Sequence, residues 1–552
     1  MSPPPKILVL SITRLGDIVQ SIPFFRRLRL RHPQSEIHVL VEACFADVMH
    51  LVPDVDRVHT VRLEDLLPDL ASGRTQNLGQ ATSFYRRLVA DLRAENYSEV
   101  WNLTHTRPSM VLNFLVAGER GRGVTLDEHG LQRVNSPWLT YFFATNLARP
   151  WCQFNLVDIY ANCVSGVDWR AGRDLSFRED AVPQRATGPC AGRTRIAIHA
   201  GASQKSKQWP VEAFRRVAER LAGRYAGEIV LIGGRRDVAL AEAFRGIPRV
   251  VNAIGQTSVP GLASLLSSCD LLVSNDSGPM HVAAAVKTPV IAITIGSALG
   301  SETAPYGEGH LVIEPDSTCF PCSPQHPCAD TACAVRVSAQ AVAALAEWRL
   351  GWRSAPPPDD LAGARVYRTG FSPHDGCLEC TRLFSAEPFE RDELHRIMRP
   401  VWLSVLEKRP LEMPRGEMPV SARLGACAKA AEPVARELRD TARQLAHAAE
   451  HVPGNLQTIE NLGALMRRRE TELARILGRH GLPGSLLAYV TIARASLTAD
   501  DLGAQARETV ALYDRLTRLL RPLIHLSKSI PSDNVMVTHL TEDNHENLSE
   551  WI

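Results

Sequence analysis

Three short segments of this 552-residue chain set acidic, basic and small residues in patterns that can do chemistry. The first is Ser11-Ile-Thr-Arg-Leu-Gly-Asp17-Ile-Val-Gln-Ser-Ile-Pro23, which reads as a strand end, a glycine turn and a helix. This brings Asp17 to the edge where open α/β sheets bind ligands, although an aspartate at a helix start is also an ordinary N-cap. The second is His199-Ala-Gly-Ala-Ser203-Gln-Lys-Ser-Lys207-Gln-Trp209-Pro210. Its small residues, Ser203 among them, let backbone amides approach an anion, and Lys205 and Lys207 add positive charge; a plain surface loop with incidental lysines is the alternative. The third is Ser274-Asn-Asp276-Ser277-Gly278-Pro-Met-His281. Here a Ser-Gly turn opens a helix and offers free amides and the positive dipole end to a diphosphate, with His281 near enough to donate to a phosphate oxygen unless it is merely structural.

The cysteines form separate evidence. Cys319, Cys322, Cys328 and Cys333 fall within fifteen residues, the first pair as Cys-x-x-Cys, a set that suits a tetrahedral zinc or iron ion. Cys377 and Cys380 are candidate further ligands, and reduced thiols without metal are the alternative. Cys44, Cys152, Cys163, Cys190, Cys269 and Cys427 are scattered and read as buried small hydrophobes.

The elements that must hold these segments are legible as alternating short apolar runs and amphipathic stretches. Lys6–Ser11, Glu36–Val41, Arg57–Val61 and Glu99–Thr104 form one series; Ile196–His199, Glu228–Gly233, Val250–Ile254, Leu271–Asn275, Pro289–Thr294 and Leu311–Ile313 form a second. Strands separated by helical patterns signal βαβ units on parallel sheets. The aperiodic, proline-bearing text after Ser176 separates the two series as a linker, and Arg353 to Gly363 is another. The expectation is an α/β protein: a Rossmann-like domain over 1–180, a second over 190–350 carrying the cysteine cluster, and an α-helical extension over 366–552. In that extension Val434/Leu438/Leu445, Leu456/Ile459/Leu462/Met466/Leu473/Ile476 and Leu512/Leu516/Leu519/Leu523 keep helical spacing, as a bundle of about four helices would.

Taken together, the three segments resemble the ADP-heptose:lipopolysaccharide heptosyltransferase family, glycosyltransferase family nine, over residues 5 to 350. Gly16-Asp17 and Pro23 match the family's opening pattern, Lys207-Gln-Trp209-Pro210 its Lys-x-Trp-Pro stretch, and Asp276-Ser-Gly278-Pro-Met-His281 its Asp-Ser/Thr-Gly-x-x-His. The resemblance implies a GT-B fold, with two Rossmann-like domains facing a cleft, and sugar transfer that inverts the anomeric carbon without a catalytic metal. It implies that Asp17 is the general base on the acceptor hydroxyl and Lys207 neutralises the leaving diphosphate. Ser203, Asp276, Ser277, Gly278 and His281 would hold the nucleotide-sugar donor, ADP-linked heptose in this family. The stretch from Ile295 to Pro305 departs from the family's donor loop. Some protein-directed members carry a cysteine-bound iron after the second domain, which is one precedent for a structural metal here.

Composition narrows the rest. With a formal net charge of +2, and 45% hydrophobic and 22% charged residues, the chain shows neither the basic stripe of a nucleic-acid binder nor the bias of a disordered or fibrous protein. The start lacks the length and cleavage site of a signal peptide, and the longest uncharged stretch, Thr288 to Ser301, falls short of the roughly 18–20 residues that cross a bilayer. A cytoplasmic enzyme is expected, with any membrane contact peripheral at the inner membrane, acting on a cell-envelope glycan or glycolipid. The alternatives are a protein O-glycosyltransferase whose helical extension grips a polypeptide or builds a homo-oligomer, a non-catalytic scaffold, and a nucleotide-sugar epimerase.

Overall fold

The computed structural model describes all residues except 1–2, 13, 63–77, 148–151, 183–193, 226, 323–327, 329–331, 357, 386–388, 410–421, 452–455, 479–480, 498–500 and 527–552. Cys190, part of the first linker and the end of the helical extension therefore lie outside the described residues. The chain divides into two compact units, Met1–Leu126 with Phe154–Ser385, and Asp127–Gln153 with Ala386–Ile552.

The first unit holds both α/β sheets. Strands β1 (Lys6–Leu10), β2 (Glu36–Glu42), β3 (Arg57–Val61), β4 (Glu99–Asn102) and β5 (Gly121–Leu126) lie in the order β3-β2-β1-β4-β5. All their pairings are parallel. A further short strand, β6 (Gln132–Val134), belongs to the second unit. The second sheet contains β7 (Arg195–His199), β8 (Glu228–Leu231), β9 (Val250–Asn252), β10 (Leu271–Asn275), β11 (Val290–Ile293), β12 (Leu311–Pro315), β13 (Ala364–Phe371) and β14 (Leu378–Leu383), in the order β14-β13-β12-β11-β10-β7-β8-β9. Through β12 it is parallel, and its strands are near-continuous apolar runs because helices cover both faces. The register sets His199 beside Ser274 and Asn275 beside Ile293, so the loops that carry the second and third motifs leave the sheet at one level.

Two features depart from the boundaries expected above. The extension read as helical from 366 begins with the antiparallel hairpin β13–β14, which finishes the second sheet. Arg365, Val366 and Tyr367 are buried in succession and Arg368 is exposed, so no period-two alternation marks the strand. The other departure is Asp127–Gln153, read as part of the first Rossmann-like domain, which clusters with the helical unit. Its helix Pro137–Leu147 is apolar on most sides, and such a helix must be buried all round. Trp402 meets Tyr141 edge-on at 4.9 Å and Tyr489 at 5.4 Å. Arg133 donates to the carbonyls of Ala495 and Leu497 at 2.5 Å each, closing the C-terminal end of helix Gly481–Ala495.

Candidate active site

The first turn is built from β1 outward. Beyond Leu10 the chain is fixed by Ile12 N–H donating to Thr104 Oγ1 at 2.8 Å, and Thr104 is itself set by Asn102 Oδ1 at the end of β4. Helix Leu15–Gln20 then starts with Arg14 at its N-cap and no side-chain cap. Asp17 is thus the third helical residue, and the capping role considered for it is not what its carboxylate does. Burial raises the Asp17 carboxyl above the ordinary carboxylate range; Arg14 and Lys207 pull it back down, and Asp276 adds to the rise.

The Lys207 turn is anchored from beneath. Trp209 is fully buried, donates from its backbone to Asn275 Oδ1 at 3.0 Å and from its indole to Val337 O at 3.0 Å. Asn275 returns two bonds to Ala200 O and Gly201 O, both 3.1 Å. With Trp209 fixed, Lys207 ends the 3-10 turn Lys205–Lys207 and places its Nζ 2.9 Å from Asp276 Oδ2. Lys205 and Ser203 are exposed on the same loop. Burial alone would raise the Asp276 carboxyl, but the Lys207 and His281 charges and bonds from Lys207 and Thr303 hold it below the usual range.

The third motif opens a helix. Ser277 is the N-cap of helix Gly278–Ala285 and makes no side-chain capping bond. Burial lowers the His281 imidazole to about 4, with Lys207 adding to the drop and Asp276 opposing it, so near neutrality it is a neutral hydrogen-bonding group. Its Nδ1 is buried without a partner. The turn abuts the first motif: a Cβ at Gly278 would lie 3.2 Å from Leu15 Cδ2, and one at Gly16 would lie 3.2 Å from His281 Cδ2. Asp17, Lys207, Asp276 and His281 are therefore gathered in one place.

Other residues join them that the motifs did not reveal. Tyr160 is buried, its phenol raised well above its usual value by burial and by the Asp17 charge. His105 stands beside it with ring centroids 6.0 Å apart and is pushed down to about 3 by burial and Arg14. His105 follows β4 by three residues, so the strand-end rule applied to Asp17 would have found it; Tyr160 carries no such signal.

The cysteine segment buttresses this site. Cys322 N–H donates to Gly296 O at 2.8 Å, and Gly296, at φ +61, lies so close to the Lys207 turn that a Cβ would stand 2.1 Å from Ser206 O. The Cys322 thiol is pushed up to about 11 by burial and by Cys333, Cys328 and Cys319 acting on it together. The donor set suits a thiolate-held ion in its chemistry, yet among the described residues no three Cys, His, Asp or Glu side chains converge as ligands. Cys377 and Cys380 have other contacts: Arg173 approaches Cys377 Sγ at 3.4 Å, and Cys380 Sγ lies 3.8 Å from Gly300 O. Of the scattered cysteines, Cys152, Cys163, Cys269 and Cys427 are buried as expected, whereas Cys44 is exposed. It sits in the short 3-10 segment after β2, where Glu42 binds its amide.

A parallel sheet pair with a carboxylate at one set of strand ends and a lysine and a helix N-terminus at the other is the arrangement of a GT-B glycosyltransferase. Residues 86–329 match the model of glycosyltransferase family 9 (heptosyltransferase). Lipopolysaccharide heptosyltransferase 2 of Salmonella typhimurium is 24% identical over 320 residues, 52% of this chain and 82% of that protein. Lipooligosaccharide heptosyltransferase 2 of Haemophilus ducreyi is 23% identical over 332 residues, 56% of this chain and 88% of its own. Among solved structures, Escherichia coli ADP-heptose lipopolysaccharide heptosyltransferase II matches at 19% identity, covering 63% of this chain and 100% of its own with a TM-score of 0.44. A family 9 glycosyltransferase from Veillonella parvula matches at 20% identity and a TM-score of 0.47, covering 63% of this chain and 98% of its own. No helix among the described residues is long and apolar enough to cross a membrane.

Proposed function

We propose that this glycosyltransferase moves a heptose-like sugar from an ADP-linked donor to a hydroxyl of a lipopolysaccharide-type glycan in one inverting displacement. The observation that carries the reading is the juxtaposition of Asp17, which is not the N-cap of its helix and is raised by burial, with the Lys207–Asp276 pair. The acceptor O–H gives its proton to the Asp17 carboxylate while its oxygen forms a bond to the anomeric carbon. On the opposite face the bond from that carbon to the diphosphate oxygen breaks, and its electron pair leaves with the nucleotide. Lys207 and the amides opening helix Gly278–Ala285 meet the charge that develops there, in the role a divalent cation plays elsewhere. The names of the relatives supply the sugar and the acceptor class. A thermal-shift series with ADP-, UDP- and GDP-linked sugars tests the donor, since a ligand at 100 times its Kd adds about 2.7 kcal/mol; equal or greater stabilisation by UDP or GDP sugars would overturn it.

The same reading gives the four clustered thiols a structural ion. Cys319, Cys322, Cys328 and Cys333 would hold one zinc or iron, which would supply rigidity to the segment that props Gly296 and the Lys207 turn. Elemental analysis of protein purified without added metal should find close to one equivalent, and less than about a tenth, with all four thiols titratable, would remove the ion from the account.

A further inference from the structure

Three neighbouring strand ends carry a buried chain of side chains that the reaction above does not use. His199 closes β7 and is 4% exposed. Its Nδ1 lies 2.9 Å from Ser277 Oγ and 3.5 Å from Ser274 Oγ, and its Nε2 faces Asp237 Oδ2 at 3.6 Å. Asp237 lies in the 3-10 segment after β8, where it accepts from Gly234 N–H at 2.8 Å. Its carboxylate is pressed against the loop leaving β7, so closely that a Cβ at Gly201 would stand 2.3 Å from Oδ1. Burial would raise this carboxyl, but the nearby His199 ring and the Gly234 bond hold it below its usual range. Ser277 opens the donor helix without capping it. Its hydroxyl is turned instead toward His199, Ser274 Oγ at 3.2 Å and Asn275 O at 3.2 Å.

We propose that Asp237 and His199 are positioning residues that set the direction of the Ser277 hydroxyl and make it a hydrogen-bond donor to an incoming diphosphate. The proposal rests on the donor reading above. A carboxylate only accepts, so Asp237 keeps the proton of His199 on Nε2. With the ring neutral, Nδ1 is an acceptor and the Ser277 hydroxyl gives its proton inward, to Nδ1 at 2.9 Å or to Asn275 O at 3.2 Å. When the ring takes up a proton, Nδ1–H donates to Ser277 Oγ, and the O–H is left to choose between Asn275 O and a phosphate oxygen, of which the charged one is the stronger acceptor. The anion and the imidazolium favour one another, so binding draws one proton from solvent onto His199 and releases it when the nucleotide leaves. Asp237 faces the ring from the 3-10 segment; Lys207 and Asp276 are already paired on the donor turn; His281 on that turn is held neutral.

Calorimetric titration of the full chain with ADP, in buffers of different ionisation enthalpy at about pH 8, counts the protons taken up; inorganic pyrophosphate is a second probe. The wild type should take up a substantial fraction of one proton with either ligand. His199→Asn has no ring to take up the proton, so uptake should fall to zero in whatever complex it forms. Ser277→Ala should weaken binding by about tenfold or more, the loss of one hydrogen bond to a charged group, and also abolish uptake. Zero uptake in the wild type, or undiminished uptake in His199→Asn, overturns the relay and leaves the donor site standing. Pyrophosphate binding with uptake but no ADP binding supports the relay and rejects the nucleotide; failure of both ligands to bind overturns both.

Discussion

The backbone of Gly16 rests on the edge of the His281 ring, where an added Cβ would stand 3.2 Å from Cδ2. The turn proposed to carry the base and the turn proposed to carry the donor thereby meet at a distance that a Cβ at Gly16 would crowd. Gly16→Ala should force a shift of a few tenths of an ångström and slow transfer by about three- to tenfold, because reacting groups lose rate steeply with misplacement. Donor affinity and melting temperature should change little. Paired kinetics and calorimetry check this; a wild-type rate in Gly16→Ala would mean the contact does not set the geometry.

Lys207 and Asp276 should show opposite dependences in stability and in binding. Removing Lys207 leaves a buried carboxylate alone, so Lys207→Ala should cost on the order of 1–3 kcal/mol at neutral pH, less than a fully buried pair because Lys207 keeps some exposure. Asp276 is held below its ordinary pKa. Its contribution is thus present above the unfolded value and lost as pH falls through the folded one, so the difference between wild type and Lys207→Ala should shrink in acid. Adding Asp276→Asn should recover most of the stability and none of the donor affinity. Thermal unfolding from about pH 3 to pH 8 with nucleotide titration separates the two effects, and a pH-independent difference would contradict the pairing.

Much of this site was legible in sequence because its geometry is local. Gly16-Asp17, Lys207-Gln-Trp-Pro210 and the Asp276–His281 turn each follow an apolar strand within a few residues, so strand-end logic places them without knowing the fold. Most strands were readable for the same reason, being unbroken apolar runs. β5 was missed because Gly121, Arg122 and Gly123 interrupt it. The β13–β14 hairpin and the placing of Asp127–Gln153 depend on partners far along the chain, which no local pattern encodes. His199 and Asp237 were invisible as a pair for that reason: 38 residues separate them in sequence, and only the adjacency of β7 and β8 joins them.

The helical unit should not be removable. Ending the chain at Ser385 takes away Trp402 and Tyr489, leaving Trp138, Tyr141 and Phe142, all under 8% exposed, without the aromatic core of their unit. The shortened protein should aggregate or bind a hydrophobic dye strongly. Light scattering and dye fluorescence decide it; a monodisperse fragment with native donor affinity would show that Asp127–Gln153 does not need the later helices.

Asp17 should be a residue that costs stability where it is useful. Its folded pKa is raised. Such a group favours folding most below its unfolded pKa, about 4 for aspartate, and loses that contribution as pH rises through the folded value. Asp17→Asn should therefore melt higher than wild type near pH 8 and about equally near pH 4. An unchanged or lower melting temperature at pH 8 would mean the carboxylate is well solvated.

The most direct measurement is the rate of sugar transfer by that same Asp17→Asn variant, under conditions where folding and donor binding are shown to match the wild type. The side chain keeps its size and loses only its ability to accept the proton. Transfer should fall by roughly 100- to 10,000-fold, as expected of a lost general base, and the wild-type rate should climb with pH through a value above the ordinary carboxylate range. A folded, donor-binding Asp17→Asn enzyme that transfers sugar at near the wild-type rate would contradict the account, placing the base on another residue.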